Sequence, residues 1–383
     1  MIQSIERLLV GAVALLPLGA LAQPSHGERS QEILAVDHYV ANESTVPAIA
    51  GQITQLYVRE RAKPATVQRR TALADRVVLF VHGAGTPAEV AFDVPYEDYS
   101  WMGYLAAAGF DVFSMDMTGY GRSTRPHPMN DACNLSDEHQ AALTGAVLER
   151  TCAPQHRQQL TTIASDWDDI DAVVEYIRDL RQVERVSLIG WSLGGPRAGG
   201  YAAQHPDKVA KLVLLAPAYS RETQAAAPAQ APAEGAAFNI QSHADFVANW
   251  DRQVGCENQY DPAASAAVWR EMLASDPVGA TWGQGVRRAP NTTVWGWGPA
   301  ALGRTRTPTL MIAAIHDRQI TPDRVRALYD DLGAEQKVLI DLGCASHAAM
   351  WERNHHLLFR ASLDWLLTGA IDGMQQGIVR LGY

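Results

Sequence analysis

The sequence predicts an α/β fold: a doubly wound, mostly parallel sheet with a mainly helical cap insertion. Three observations carry the prediction. Short, nearly continuous apolar runs recur along the 383 residues, amphipathic segments separate them, and one long tryptophan-rich insert interrupts the alternation. Runs of this kind suit strands buried on both faces of a parallel sheet, and strand alternating with helix implies βαβ crossovers.

In chain order, residues 1–22 read as a processing leader. Arg7 precedes an apolar run from Leu8 to Gly19, and Ala20-Leu21-Ala22 offers the small-x-small pattern that a signal peptidase cuts. The run is too short to span a bilayer, which takes about 20 apolar residues as a helix. No cysteine follows Ala22 to receive a lipid. The expected location is secreted or periplasmic, with cleavage after Ala22 and no stable membrane anchor.

Residues 23–50 are polar and irregular, whereas Gly51 to Arg61 alternate apolar with polar residues, the signature of an antiparallel edge strand. Buried strands are expected at 76–81, 111–115, 186–190, 212–216 and 310–315, with a last one at 338–341. Amphipathic helices are expected at 98–108, 163–182, 193–205, 322–332 and 350–367. Two stretches depart from the alternation. Residues 123–160 carry Pro126, Pro128, Pro154 and two cysteines. Residues 220–306 open on an Ala/Pro run at 226–237 and hold Trp250, Trp269, Trp282, Trp295 and Trp297, half of the ten tryptophans. A structureless loop of that length is improbable inside a compact domain. The expected division is a core of 23–219 and 307–383, with 220–306 as a cap over the strand ends.

Composition narrows the function. Hydrophobic residues at 47% and charged residues at 19% fit a globular chain. The formal net charge of −10, with no block of Lys and Arg, lacks the basic footprint that nucleic acid needs. Four cysteines in an exported chain can form two disulfides by three connectivities. Cys133 and Cys152 sit close together in one polar stretch and are the favoured pair. Cys256 with Cys344 follows by elimination. Their spacing matches no zinc site.

The sharpest local signal is Gly190-Trp191-Ser192-Leu193-Gly194-Gly195, between an apolar strand run and a helical segment. A serine on so tight a turn needs tiny neighbours, here Gly190 and Gly194. The helix start beneath it, where Pro196 is tolerated, favours developing negative charge. On this motif the chain resembles the α/β-hydrolase family over roughly 51–219 and 307–367. A second match is Val81-His82-Gly83-Ala84-Gly85. The resemblance implies that the backbone amides of Ala84 and Leu193 form an oxyanion hole, each worth about 3–4 kcal/mol in acyl transfer. A third, Asp116 to Ser123, is similar to a loop that shapes the pocket wall. Asp116 reads as structural there, while Tyr120 and Arg122 are candidates to touch substrate.

Serine needs a base, and the base an orienting acid. The family's order of serine, acid, histidine places the acid at Asp317, after the 310–315 strand and before Pro322. It places the base at His347, in the loop before the last helix. His316, His355, His356, Asp323 and Asp341 are weaker competitors. Ser192, Asp317 and His347 are thus the expected catalytic set, with no metal and no organic cofactor. The resemblance implies a serine hydrolase acting on a small-molecule carboxylic ester. Amidase, peptidase or acyltransferase chemistry on the same residues stays open, as does a non-catalytic ligand-binding member of the fold. Trp191, with the cap tryptophans, points to an aromatic-lined pocket.

Overall fold

The computed structural model describes residues 32–68, 73, 75–228, 232–283, 285–289 and 294–382. The expected leader, 1–22, lies outside them. The apolar runs form the centre of one nine-stranded sheet. They become β3 (Val77–Val81), β4 (Asp111–Met115), β5 (Val186–Trp191), β6 (Val209–Leu215) and β9 (Thr309–Ala314), flanked by β10 (Lys337–Leu342). Every residue of β3, β4, β5 and β9 is buried. That accounts for their lack of alternation, since helices cover both faces. Phe80 of β3 packs edge-on to Trp101, ring centroids 5.2 Å apart, at the start of the helix Trp101–Ala107.

Two strands of this sheet escape the sequence reading, and both are its edges. β1 (Leu34–Glu43) pairs antiparallel with β2 (Ile53–Ala62) over ten residues, so β2 is the second strand rather than the edge. β1 is mostly exposed, and without a buried face its sequence carries little apolar signal. β11 (Gln376–Leu381) pairs parallel with β10 after the final helix, so the 338–341 run is not the last strand. It too is largely exposed. The full order is β1-β2-β4-β3-β5-β6-β9-β10-β11, antiparallel at β1 and β2 and parallel from β4 onward.

This order decides where a site can form. From β3 the chain crosses to β4 on one side, then returns to β5 on the other. Winding reverses between β3 and β5, and a crevice opens at the carboxyl ends of such a pair. His82 follows β3 and Ser192 follows β5, so both motifs flank that crevice.

Between β6 and β9 lie the helices His243–Asp251, Pro262–Ser275, Pro277–Thr281 and Pro299–Leu302. A two-stranded ribbon of β7 (Asn239–Gln241) and β8 (Val286–Arg288) joins them. Within 123–160, Met129, Leu135, Leu143 and Leu160 share a small core with Phe238 and Ile240 at the start of this insert. Both favoured cysteine pairs are bonded, Cys133–Cys152 and Cys256–Cys344, with Cα separations of 5.3 and 5.7 Å. The second ties the insert to the loop that carries His347.

Candidate active site

Ser192 sits at the end of β5 with φ of 58°, in the left-handed region that non-glycine residues seldom occupy. Such strain costs roughly 1–3 kcal/mol and persists only where its surroundings fix it. Here they do. Its amide donates to Leu215 O at 3.0 Å, and its carbonyl accepts from Gly195 N at 2.8 Å and Ala218 N at 2.9 Å. The flanking glycines are steric necessities. A Cβ on Gly190 would stand 2.3 Å from Gly194 O, and one on Gly194 would stand 2.3 Å from Val81 O. The turn therefore presses against the end of β3, which brings the two sequence motifs together.

His347 Nε2 lies 2.9 Å from Ser192 Oγ, and its Nδ1 lies 2.7 Å from Asp317 Oδ2. A carboxylate only accepts, so Nδ1 carries the proton and Nε2 is free to accept from the serine hydroxyl. Asp317 is itself held, since its Oδ1 accepts from the amides of Gln319 at 2.7 Å and Ile320 at 2.8 Å. The competitors stand elsewhere. His355 Nε2 faces Asp98 at 3.2 Å, His356 and Asp323 lie toward the surface, and Asp341 pairs with Arg326 at 3.0 Å. His316 packs against Gly255.

The loop of His347 is braced from a residue the sequence did not single out. Glu352 is fully buried and accepts from Ser346 N at 2.7 Å, Trp250 Nε1 at 2.9 Å and Gln259 Nε2 at 2.9 Å. Burial raises its pKa despite these donors. It sits five residues after His347, before the helix His355–Thr368 begins. An acid in so apolar a context was the signal available. Trp191 Nε1 adds a bond to His347 O at 2.8 Å.

The 82–85 loop is anchored from below by another such residue. Arg197, on the helix Gly194–Gln204, is 1% exposed and pairs with Asp166 at 2.8 Å. Burial alone would lower its pKa, but its partners together, Asp166 first and then Tyr120, hold it above the ordinary arginine value. Its Nη1 donates to both His82 O and Gly83 O at 3.0 Å. Carbonyl and amide point opposite ways across a trans peptide. Drawing Gly83 O down to Arg197 therefore turns the Ala84 N–H up, away from the buried cation. Among the described residues, neither the Ala84 nor the Leu193 amide has an acceptor inside the protein. His82 completes the support. Its Nε2 accepts from Met117 N at 3.1 Å and its Nδ1 donates to Gly83 O at 2.7 Å. Burial, aided by Arg197, drives its pKa well below the usual histidine value, so the ring is neutral.

A cavity of about 430 Å³ opens over Ser192 and His347. Trp191 lines it with Phe246, Trp250 and Trp351, as the aromatic expectation requires in part. Amide side chains dominate the remainder: Gln159, Asn239, Gln241, Asn249, Gln253 and Gln319. Tyr120 is placed differently from its expected position at the substrate. It is buried beneath the loop, and its hydroxyl bridges Ala84 O and Ala289 O, outside the cavity lining. Arg122 points to Asp37 and Tyr57 at the sheet edge. Asp116 is structural as expected, accepting from Ala88 N at 2.8 Å and Arg122 N at 2.9 Å.

A family model described as alpha/beta hydrolase fold matches residues 76–354. None of the curated proteins compared matches the sequence. Among solved structures, a serine hydrolase involved in carbazole degradation is 15% identical, with 87% of this chain and 99% of that one covered at a TM-score of 0.54. The 2-hydroxy-6-oxo-6-phenylhexa-2,4-dienoate hydrolase from Rhodococcus sp. strain RHA1 is 15% identical, with 87% and 99% covered at 0.50. A thermophilic esterase from Thermogutta terrifontis is also 15% identical, with 86% and 98% covered at 0.50. At these identities the structural likeness speaks for the fold alone. The family match spans most of the chain, and with a nine-stranded sheet wound about the β3–β5 crevice it shows that this protein belongs to the alpha/beta hydrolase fold family.

Proposed function

We propose that this protein is a secreted serine hydrolase that cleaves a carboxylic ester through an acyl-enzyme on Ser192. The observation that carries the reading is the hydrogen-bonded line Ser192–His347–Asp317 at the floor of an open cavity. His347 Nε2 takes the hydroxyl proton as Ser192 Oγ attacks the acyl carbon, and Asp317 stabilises the imidazolium that forms. The Ala84 and Leu193 amides receive the oxyanion. The imidazolium then protonates the departing alcohol. Water, deprotonated by the same histidine, releases the acid. Two disulfides suit an oxidising compartment and support export.

The test is turnover of p-nitrophenyl esters of graded chain length by wild type and by Ser192→Ala, with fluorophosphonate labelling of both. Wild type should release nitrophenolate and take the label, whereas the variant should do neither above background. Equal release by the two proteins would remove Ser192 from the chemistry.

A further inference from the structure

Two consecutive arginines on β8 are treated in opposite ways. Arg287 is 3% exposed and fully matched: Nη2 meets Asp276 Oδ1 at 2.8 Å, Nε meets Oδ2 at 3.1 Å, and Nη1 donates to Met129 O at 2.8 Å. Side chains alternate across a strand, so Arg288 points to the other face, and that face is the cavity wall. Arg288 is half-buried, with one neutral partner, Gln241 Oε1 at 3.3 Å. Among the described residues it makes no ion pair. Its Nη1 reaches the 82–85 loop, where a Cβ on Gly85 would stand 2.6 Å away. Burial, against a weaker pull from Tyr120 and Asp245, depresses its pKa.

None of the described residues lining this cavity is Asp or Glu. Arg288 has no carboxylate at ion-pair distance among the described residues, and the Asp245 charge acts on it more weakly than burial does, so its guanidinium keeps donors free for an incoming anion. We propose that the missing anion arrives with the substrate: Arg288 binds a carboxylate, and the protein's substrates are esters that also carry a free carboxylate group. The planar guanidinium fork matches a carboxylate with two parallel hydrogen bonds. A phosphate monoester would bring up to two charges to a site holding one arginine, so carboxylate fits better. The neutral amides can bind the rest of a polar ester without competing for Arg288. This assignment rests on the reading of Ser192 as the nucleophile of an ester hydrolase and names its substrate class.

The experiment compares kcat/KM on two matched pairs. One is mono-4-nitrophenyl adipate against its methyl ester, with the charge on the acyl side. The other is 4-acetoxybenzoate against methyl 4-acetoxybenzoate, with the charge on the alcohol side. Wild type should prefer the charged member of at least one pair. Arg288→Met should lose about tenfold to hundredfold of that preference, mainly through KM, as fits one charge-assisted hydrogen-bond pair. Arg288→Lys should keep part of it. No charge preference in wild type, or an equal fall on both members, would overturn the proposal while leaving ester hydrolysis standing. A second readout does not need turnover. In Ser192→Ala, monomethyl adipate should quench the fluorescence of the lining tryptophans more strongly than dimethyl adipate does, and the added Arg288→Met should abolish the difference. Equal quenching by acid and diester would sink the site even if no ester is turned over.

Discussion

Two arginines flank the 82–85 loop, one buried beneath it on the sheet side and one on the insert side, where it lines the cavity. On the sheet side, Arg197 is locked to Asp166 and donates to two backbone carbonyls. On the insert side, Arg288 has among the described residues a single hydrogen-bond partner, the amide oxygen of Gln241. On the proposed function, the contrast separates two tasks. Catalytic geometry must be fixed before substrate arrives, so its supports are saturated with internal partners and sealed from water. Recognition must leave a bonding capacity unspent for the ligand to complete. Paired, buried charge on one side and unpaired, half-buried charge on the other is the physical form of that division.

The hardest way to break the contrast is to cut the locked arginine loose. In Arg197→Met the Asp166 carboxylate is left buried without its partner, and such losses run to about 3–5 kcal/mol. Denaturant unfolding should register that loss, and kcat on neutral esters should fall as well. The double change Arg197→Met with Asp166→Leu separates the two effects. Much of the stability should return, because no charge remains stranded. The rate should stay low, because His82 O and Gly83 O still lack the donor that orients the loop. If kcat recovers together with stability, Arg197 only holds the fold and does not position the oxyanion loop.

This division also explains what was legible in the sequence. The elbow could be read because Gly190 and Gly194 are demanded by backbone collisions, which leave a local mark. Asp317 and His347 could be proposed through the family resemblance, because they follow consecutive core strands, β9 and β10, where the family carries its acid and its histidine. The supports were less visible. Arg197 and Glu352 act on residues distant in sequence or folded back upon them, and neither contact has a fixed spacing. Tyr120 shows the same limit from the other direction. Its place in the 116–123 loop suggested the substrate, yet only the tertiary structure reveals that its hydroxyl is spent on Ala84 O and Ala289 O. The tryptophans pointed to an aromatic cavity because single residues cannot announce that six amides from separate segments converge. β1 and β11 were missed because exposed edges have no buried face to imprint a pattern.

The insert side should depend more than the sheet side on its covalent tether. Cys256–Cys344 closes a loop with a sequence separation of 88 and joins the insert to the segment before His347. Replacing both cysteines by serine should lower stability by about 2–4 kcal/mol, read as a drop in Tm. The accompanying loss of activity should be larger for carboxylate-bearing esters than for neutral ones, since the insert carries Arg288. An equal loss on both would mean that the tether serves His347 rather than the insert.

The smallest effect expected belongs to the sheet side and is one of pH. His82 has an ordinary value of 6.5 when unfolded, but in the folded protein burial beside Arg197 keeps it neutral well below that. As pH falls below 6.5, the unfolded chain takes up a proton that the folded chain refuses, so stability is lost in that window. A single such group contributes a slope of about 1.4 kcal/mol per pH unit. Asp116 opposes it. Burial raises its carboxyl from 3.8 to about 6, so the folded state binds that proton more readily and gains stability between those values as pH falls. The total slope therefore mixes signs, and the difference between wild type and His82→Gln isolates the histidine. The substituted glutamine cannot charge in this range, and its amide oxygen retains an acceptor for Met117 N. Denaturant unfolding from about pH 7 to pH 5 should show wild type losing stability relative to the variant, by about the slope given. Parallel curves would mean that the ring charges within the fold, and that the 82–85 loop tolerates a second cation beside Arg197.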